Sequence, residues 1–226
     1  MTVIHHTFGP LADRTQRGLA FKLLFQPWKW QEGPAREELR TKLAQHFGMQ
    51  AFLFANGREG LLALLRSLKL STDGEVIVQG YTCVVVPNAI EAAGCTTIYA
   101  DIERDTLNLD CDAVEAAITP KTRAVICQHT FGIPSDTTRL REICDKHSLI
   151  LIEDCAHVIP DNKGPSSIGK HGDAVLLSFG RDKAISGVTG GAVLCADKDL
   201  ALLLKREEER AAVSYTHLTL PTNREV

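Results

Sequence analysis

Short apolar, β-rich runs recur along the chain at residues 51–54, 75–78, 97–100, 124–128, 149–152, 174–177 and 192–195, and they predict seven strands. Amphipathic stretches separate them. Residues 60–70 carry Leu61, Leu64, Leu65 and Leu68 at helical spacing, and residues 135–147 carry Leu140, Ile143 and Cys144 in the same manner. Further helices are expected over 35–46 and over the charged run 197–212. Strands alternating with helices imply an α/β fold with a mostly parallel sheet and helices on both faces. In such sheets a ligand sits beyond the carboxyl ends of the strands. Asn56-Gly57, Tyr81, Asp154 and Ser178 each come just after a predicted strand, so the polar chemistry converges on one edge.

The segments outside this alternation read differently. Residues 1–30, with Trp28 and Trp30 beside Pro27, predict an N-terminal arm of the kind that packs on a partner subunit, and residues 31–212 form the main domain. Gly164, Gly169 and Gly172 mark residues 160–172 as a flexible loop lying over the proposed site.

Composition narrows the function classes. A chain of 226 residues with 44% hydrophobic and 23% charged residues can bury a proper core. Its net charge of -3 comes from acids and bases mixed along the chain, which argues against nucleic acid or an anionic membrane as partner. No apolar run approaches the roughly 20 residues of a membrane span, and the start lacks the pattern of a signal peptide, so a cytoplasmic location is expected. The seven cysteines show no Cys-x-x-Cys pair and the eight histidines no ligand spacing, so no metal site is expected and most cysteines are assigned to the core.

The candidate chemistry centres on Lys183. The run 174–177 leads into Ser178-Phe179-Gly180-Arg181-Asp182-Lys183, with Gly187, Gly190 and Gly191 after it, and the run 149–152 leads into Glu153-Asp154-Cys155-Ala156-His157. An amine, a carboxylate, a hydroxyl and glycines at strand ends are what a protein needs to hold pyridoxal phosphate as a Schiff base. Asn56-Gly57-Arg58, opening a helix, supplies backbone amides and a helix dipole for the phosphate.

These blocks, with Gly80-Tyr81-Thr82-Cys83, Asp101-Ile102, Asn108, Thr119-Pro120-Lys121-Thr122 and His129-Thr130-Phe131-Gly132, occur in the order found in a known family. Over roughly residues 30–212 the chain resembles the DegT/DnrJ/EryC1/StrS family of pyridoxal-phosphate-dependent sugar aminotransferases. The resemblance implies the large domain of pyridoxal phosphate fold type I, a homodimer, and transfer of an amino group from an amino acid, glutamate being favoured, to a nucleotide-linked keto sugar. It assigns Lys183 as the catalytic amine and proton shuttle, Asp154 as partner of the pyridine nitrogen, Tyr81 to the ring face and Ser178 to the phosphate. Three departures stand out. His157 occupies the place of a glutamine that approaches the phenolic oxygen, Arg58 replaces a hydroxyl, and Gly187-Val188-Thr189-Gly190-Gly191 replaces a Gly-Glu-Gly-Gly turn.

Residues 213–226 break with the rest and read as a non-native tail, with the family's smaller carboxyl-terminal domain missing. The retained lysine favours transamination over the lysine-less dehydratase branch. Other pyridoxal phosphate chemistry, and a non-catalytic binding module on the same fold, stand as alternatives.

Overall fold

The computed structural model describes residues 14–26, 34–70, 73–159 and 167–216. Its centre is a seven-stranded sheet: β1 (Gln50–Phe54), β2 (Glu75–Gln79), β3 (Thr96–Ala100), β4 (Thr122–Gln128), β5 (Ile150–Asp154), β6 (Ala174–Ser178) and β7 (Gly191–Cys195), in the spatial order β1-β7-β6-β5-β4-β2-β3. β3, β2, β4, β5 and β6 run parallel, and β7 is antiparallel to both β6 and β1. No helix separates β6 from β7, and without a crossover helix the chain returns as an antiparallel neighbour.

All seven expected strands are present, with ends shifted by one or two residues. The shift matters at the site. Gln128, Asp154 and Ser178 are the last residues of β4, β5 and β6, whereas Asp154 and Ser178 were expected just beyond a strand. They are therefore held by the sheet ladder.

The helices are α1 (Arg14–Leu24), α2 (Pro34–Phe47), α3 (Gly57–Ser67), α4 (Val85–Ala92), α5 (Cys111–Ala117), α6 (Thr137–His147) and α7 (Lys198–Thr216). The helix expected over 60–70 begins three residues earlier, because Asn56 caps it, and the sequence pattern did not show α1, α4 or α5. α7 continues as helix through residues 213–216, and residues 217–226 of the expected tail lie outside the described residues. Of the expected arm, α1 is described, while residues 1–13 and 27–33 are not.

Both faces of the sheet are covered. Leu61, Leu64 and Leu65 of α3, Ile90 of α4 and Leu204 of α7 pack on Val76, Val78, Ile126, Ile152 and Leu176. On the opposite face, Val114 of α5 and Leu140 and Ile143 of α6 meet Ile77, Val125 and Leu151, and Leu43 of α2 joins Leu53, Val175 and Leu194. Six cysteines are buried in this core, where burial pushes the Cys111 thiol up to about 11 and that of Cys144 up to about 12. Cys83 is exposed instead.

The outer edge of β1 is closed by side chains. Arg40 donates to the Ala51 carbonyl (2.8 Å), Arg36 to the Leu53 carbonyl (3.3 Å), and the Leu53 amide donates to buried Glu208 of α7 (2.8 Å). Arg40 also pairs with Glu208 at 2.8 Å. The edge groups thus find partners without another strand.

Candidate active site

β2 has β3 on one side and β4 on the other, so the strand order reverses between β2 and β4. A crevice at the carboxyl ends of the strands is expected there. A cleft of about 610 Å³ occupies that edge, and all eight residues singled out in the sequence line it: Asn56, Gly57, Arg58, Tyr81, Asp154, His157, Ser178 and Lys183. Gln128 and Phe131 also line it, and the sequence reading did not select them.

One corner is built to receive an anion. The Asn56 carboxamide accepts from the Glu59 amide (2.9 Å), which leaves the amides of Gly57 and Arg58 in the first turn of α3 for a ligand. A Cβ on Gly57 would lie 3.1 Å from the Ser178 Cβ and 3.3 Å from its hydroxyl, so glycine lets the helix start close against β6. Behind it, a Cβ on Gly191 would come within 2.5 Å of the Asn56 backbone. No other residue fits there.

The carboxylate of Asp154 sits at the floor, 3% exposed. It accepts from the Gln128 amide at 2.8 Å and from the Ala156 amide at 3.0 Å. Gln128 and Asp154 face each other in the β4/β5 register, so the contact follows from the ladder. His157 accepts at Nδ1 from the Phe131 amide (3.2 Å), which places its proton on Nε2 in the neutral ring. Burial and the nearby Lys183 ammonium hold the His157 pKa below its usual value, against the opposing pull of Asp154 and Asp182.

Aromatic rings form the outer wall. Phe131 stacks on His157 with centroids 5.8 Å apart, and Tyr81 lies 6.4 Å from Phe131. Phe131 is left-handed (φ 54°), an uncommon state for a bulky residue. The amide nitrogen of buried Gln79 ties this wall down, lying within hydrogen-bond distance of the Tyr81 carbonyl (2.8 Å), the Leu107 carbonyl (3.1 Å) and the Thr130 hydroxyl (3.0 Å).

Lys183 projects from the turn after β6, its amide donating to the Gly180 carbonyl (3.1 Å). Its side chain is 19% exposed, and its ammonium stands 3.7 Å from the Asp182 carboxylate. The segment folds back through backbone bonds from Gly187 to Phe179 and from Phe179 to Gly190, both 2.9 Å. Val188 takes the left-handed conformation (φ 69°), a genuine outlier for a β-branched residue, and lines the cleft.

The loop expected over the site behaves otherwise where it is described. Residues 167–172 do not line the cleft; they wrap Glu153, whose carboxylate accepts from the amides of Gly169 (2.6 Å), His171 (2.8 Å) and Gly172 (2.6 Å) and from His129 Nε2 (3.0 Å). The unmet backbone donors of this turn and the buried carboxylate satisfy each other, which draws the segment to the β5 side. Residues 160–166 lie outside the described residues. His129, Glu153 and Cys155 come close enough to suggest a metal, but Glu153 already accepts four hydrogen bonds and burial drives the Cys155 thiol up, away from a ligating thiolate.

The donor set fits an aromatic phosphate with a basic ring nitrogen: amides and a hydroxyl at one corner, a carboxylate at the floor, and a primary amine beside both. The comparisons agree with this geometry. The chain is 33% identical over 175 residues to the L-glutamine:2-deoxy-scyllo-inosose aminotransferase of Streptomyces kanamyceticus, covering 77% of this chain and 41% of that protein. Among solved structures, DesI in the presence of its TDP-sugar product shares 35% identity and a TM-score of 0.72 over 84% of this chain and 49% of its own. NtdA from Bacillus subtilis with bound cofactor PMP shares 26% identity and a TM-score of 0.69 over 86% of this chain and 43% of its own. The chain thus spans about half the length of the proteins it matches. With the family model matching residues 14–211, the chain belongs to the DegT/DnrJ/EryC1/StrS aminotransferase family.

Proposed function

We propose that this chain is the cofactor-binding part of a pyridoxal-phosphate-dependent aminotransferase that moves an amino group from an amino acid, glutamate in our reading, to a nucleotide-linked keto sugar. The carrying observation is that Lys183, Asp154 and the Gly57–Ser178 corner meet in one cleft. Support for the substrate class comes from the matched DesI and its TDP-sugar product, and support for the cofactor from the PMP bound to NtdA. We further propose a homodimer acting in the cytoplasm; no helix among the described residues is long and apolar enough to cross a membrane.

Each residue's task follows from its chemistry. Bound pyridoxal phosphate supplies an electron sink for a carbon beside an amine. The amides of Gly57 and Arg58, the Ser178 hydroxyl and the Arg58 guanidinium hold the phosphate; the guanidinium offers two parallel hydrogen bonds in place of one hydroxyl. Asp154, nearly buried, holds a proton on the ring nitrogen. His157 offers its Nε2 proton to the ring's oxygen, the Tyr81 ring covers a face of the cofactor, and Phe131 excludes water. Lys183 would hold the cofactor through its aldehyde, and its amine would serve as the general base that carries a proton between the amino-bearing carbon of the substrate and the cofactor.

The test is borohydride reduction of the chain loaded with pyridoxal phosphate, followed by peptide mass mapping. A reduced pyridoxyl label on Lys183, lost in Lys183→Ala while some noncovalent cofactor remains, is the expected result. A label on another lysine, or on none, sinks the reading.

A further inference from the structure

Gln128 lines the cleft beside Asp154, and the proposed mechanism leaves its chemistry unused. It ends β4 directly opposite Asp154 in register, and its amide nitrogen donates to Asp154 Oδ2 at 2.8 Å. Its carbonyl oxygen is buried and has no hydrogen-bond partner among the described residues. A buried acceptor left unmet costs free energy, so this rotamer is kept by what the other end of the amide does. That end is the only side chain among the described residues that donates to the Asp154 carboxylate; the second donor, the Ala156 amide, is backbone. Neither the family resemblance nor the sequence pattern selects this residue.

We propose that Gln128 is a positioning residue that fixes the plane of the Asp154 carboxylate and keeps the shared proton on the cofactor's ring nitrogen rather than on Asp154. The inference rests on the function proposed above. With one proton between a ring nitrogen and a carboxylate, a donor to the carboxylate stabilises its charged form and so favours the arrangement with the proton on nitrogen. Two donors, one on each oxygen, also stop the carboxylate from rotating. Remove the Gln128 amide and one oxygen of Asp154 becomes free to take the proton, while the ladder, the cleft and Lys183 are untouched.

The experiment uses this chain loaded with pyridoxal phosphate carrying nitrogen-15 in the ring, and reads the ring-nitrogen resonance, which reports where the proton sits. Gln128→Met keeps the volume and removes the donor. Its resonance is expected to move toward the unprotonated position, with the borohydride label still on Lys183. Gln128→Glu is the second variant: a second carboxylate at this distance raises the pKa of the new acid, so near pH ~6 it keeps its proton and donates it to Asp154, and near pH ~9 it loses it. It should therefore follow the wild type at the lower pH and move toward Gln128→Met at the higher. A wild-type resonance in Gln128→Met, or a Gln128→Glu displaced as far as Gln128→Met at the lower pH, overturns the role of Gln128 while the label on Lys183 leaves the proposed function standing. Absence of label in the wild type overturns both.

Discussion

At the scale of single residues, a few atoms decide the site. Asp154→Asn keeps the shape but turns one accepting oxygen into an NH2 donor and removes the carboxylate that holds the ring proton; the cofactor should stay bound. The half-reaction with an amino donor, followed by absorbance in a single turnover, should slow roughly 100- to 1,000-fold. Gly57→Ala tests the anion corner. Its new methyl would meet the Ser178 Cβ at 3.1 Å and push α3 from β6, and equilibrium dialysis should show weaker pyridoxal phosphate binding with little change in fold. Gly191→Ala is different in kind, because the clash at 2.5 Å is with backbone that cannot rotate away; urea unfolding should show a loss on the order of 3 kcal/mol. The sequence pointed to Gly57 and Asp154 through their neighbours in motifs. It had no means of pointing to Gln128, which acts through a strand register, and it placed Phe131 in a motif block without showing the left-handed turn that sets its ring in the cleft wall.

At the scale of elements, the strand ends and the helix starts do most of the positioning. α3 begins three residues before its leucine pattern because Asn56 caps it and Glu59 reaches back to the Ala55 amide (3.1 Å). Asn56→Ala should lower stability by about 1 kcal/mol in urea unfolding and weaken phosphate binding with it. The free edge of β1 depends on one carboxylate from the far end of the chain. Glu208→Ala would leave two guanidinium groups and the Leu53 amide short of a partner, and we expect a loss of about 3 kcal/mol in urea unfolding, reduced in Glu208→Gln, which still accepts from Leu53. Helices α4 and α5 were not legible in the sequence. They have eight and seven residues, too few for a helical period to stand out from the short apolar runs around them.

At the scale of the whole molecule, stability in acid depends on Glu153. Burial raises the pKa of this carboxyl, but the His129 hydrogen bond and the amides of Gly169 and Gly172 outweigh it and hold it below the ordinary 4.5. A depressed carboxyl stabilises the fold fully above the unfolded value and loses that contribution as pH falls through the folded value. Urea midpoints should accordingly be steady near neutrality and fall below about 4.5, and Glu153→Gln should show a lower neutral plateau with a shallower acid limb. What the sequence by itself determined is the α/β class, the seven strands and the edge on which Asn56, Tyr81, Asp154, Ser178 and Lys183 gather, because apolar period and strand-end position are local properties written in consecutive residues. The tertiary structure alone decided that β7 runs antiparallel between β1 and β6, that residues 167–172 turn to Glu153 and not to the cleft, and that Gln128 holds Asp154. Each of these joins residues brought together by strand order and by the need to pair buried donors and acceptors, and neither leaves a period in the sequence.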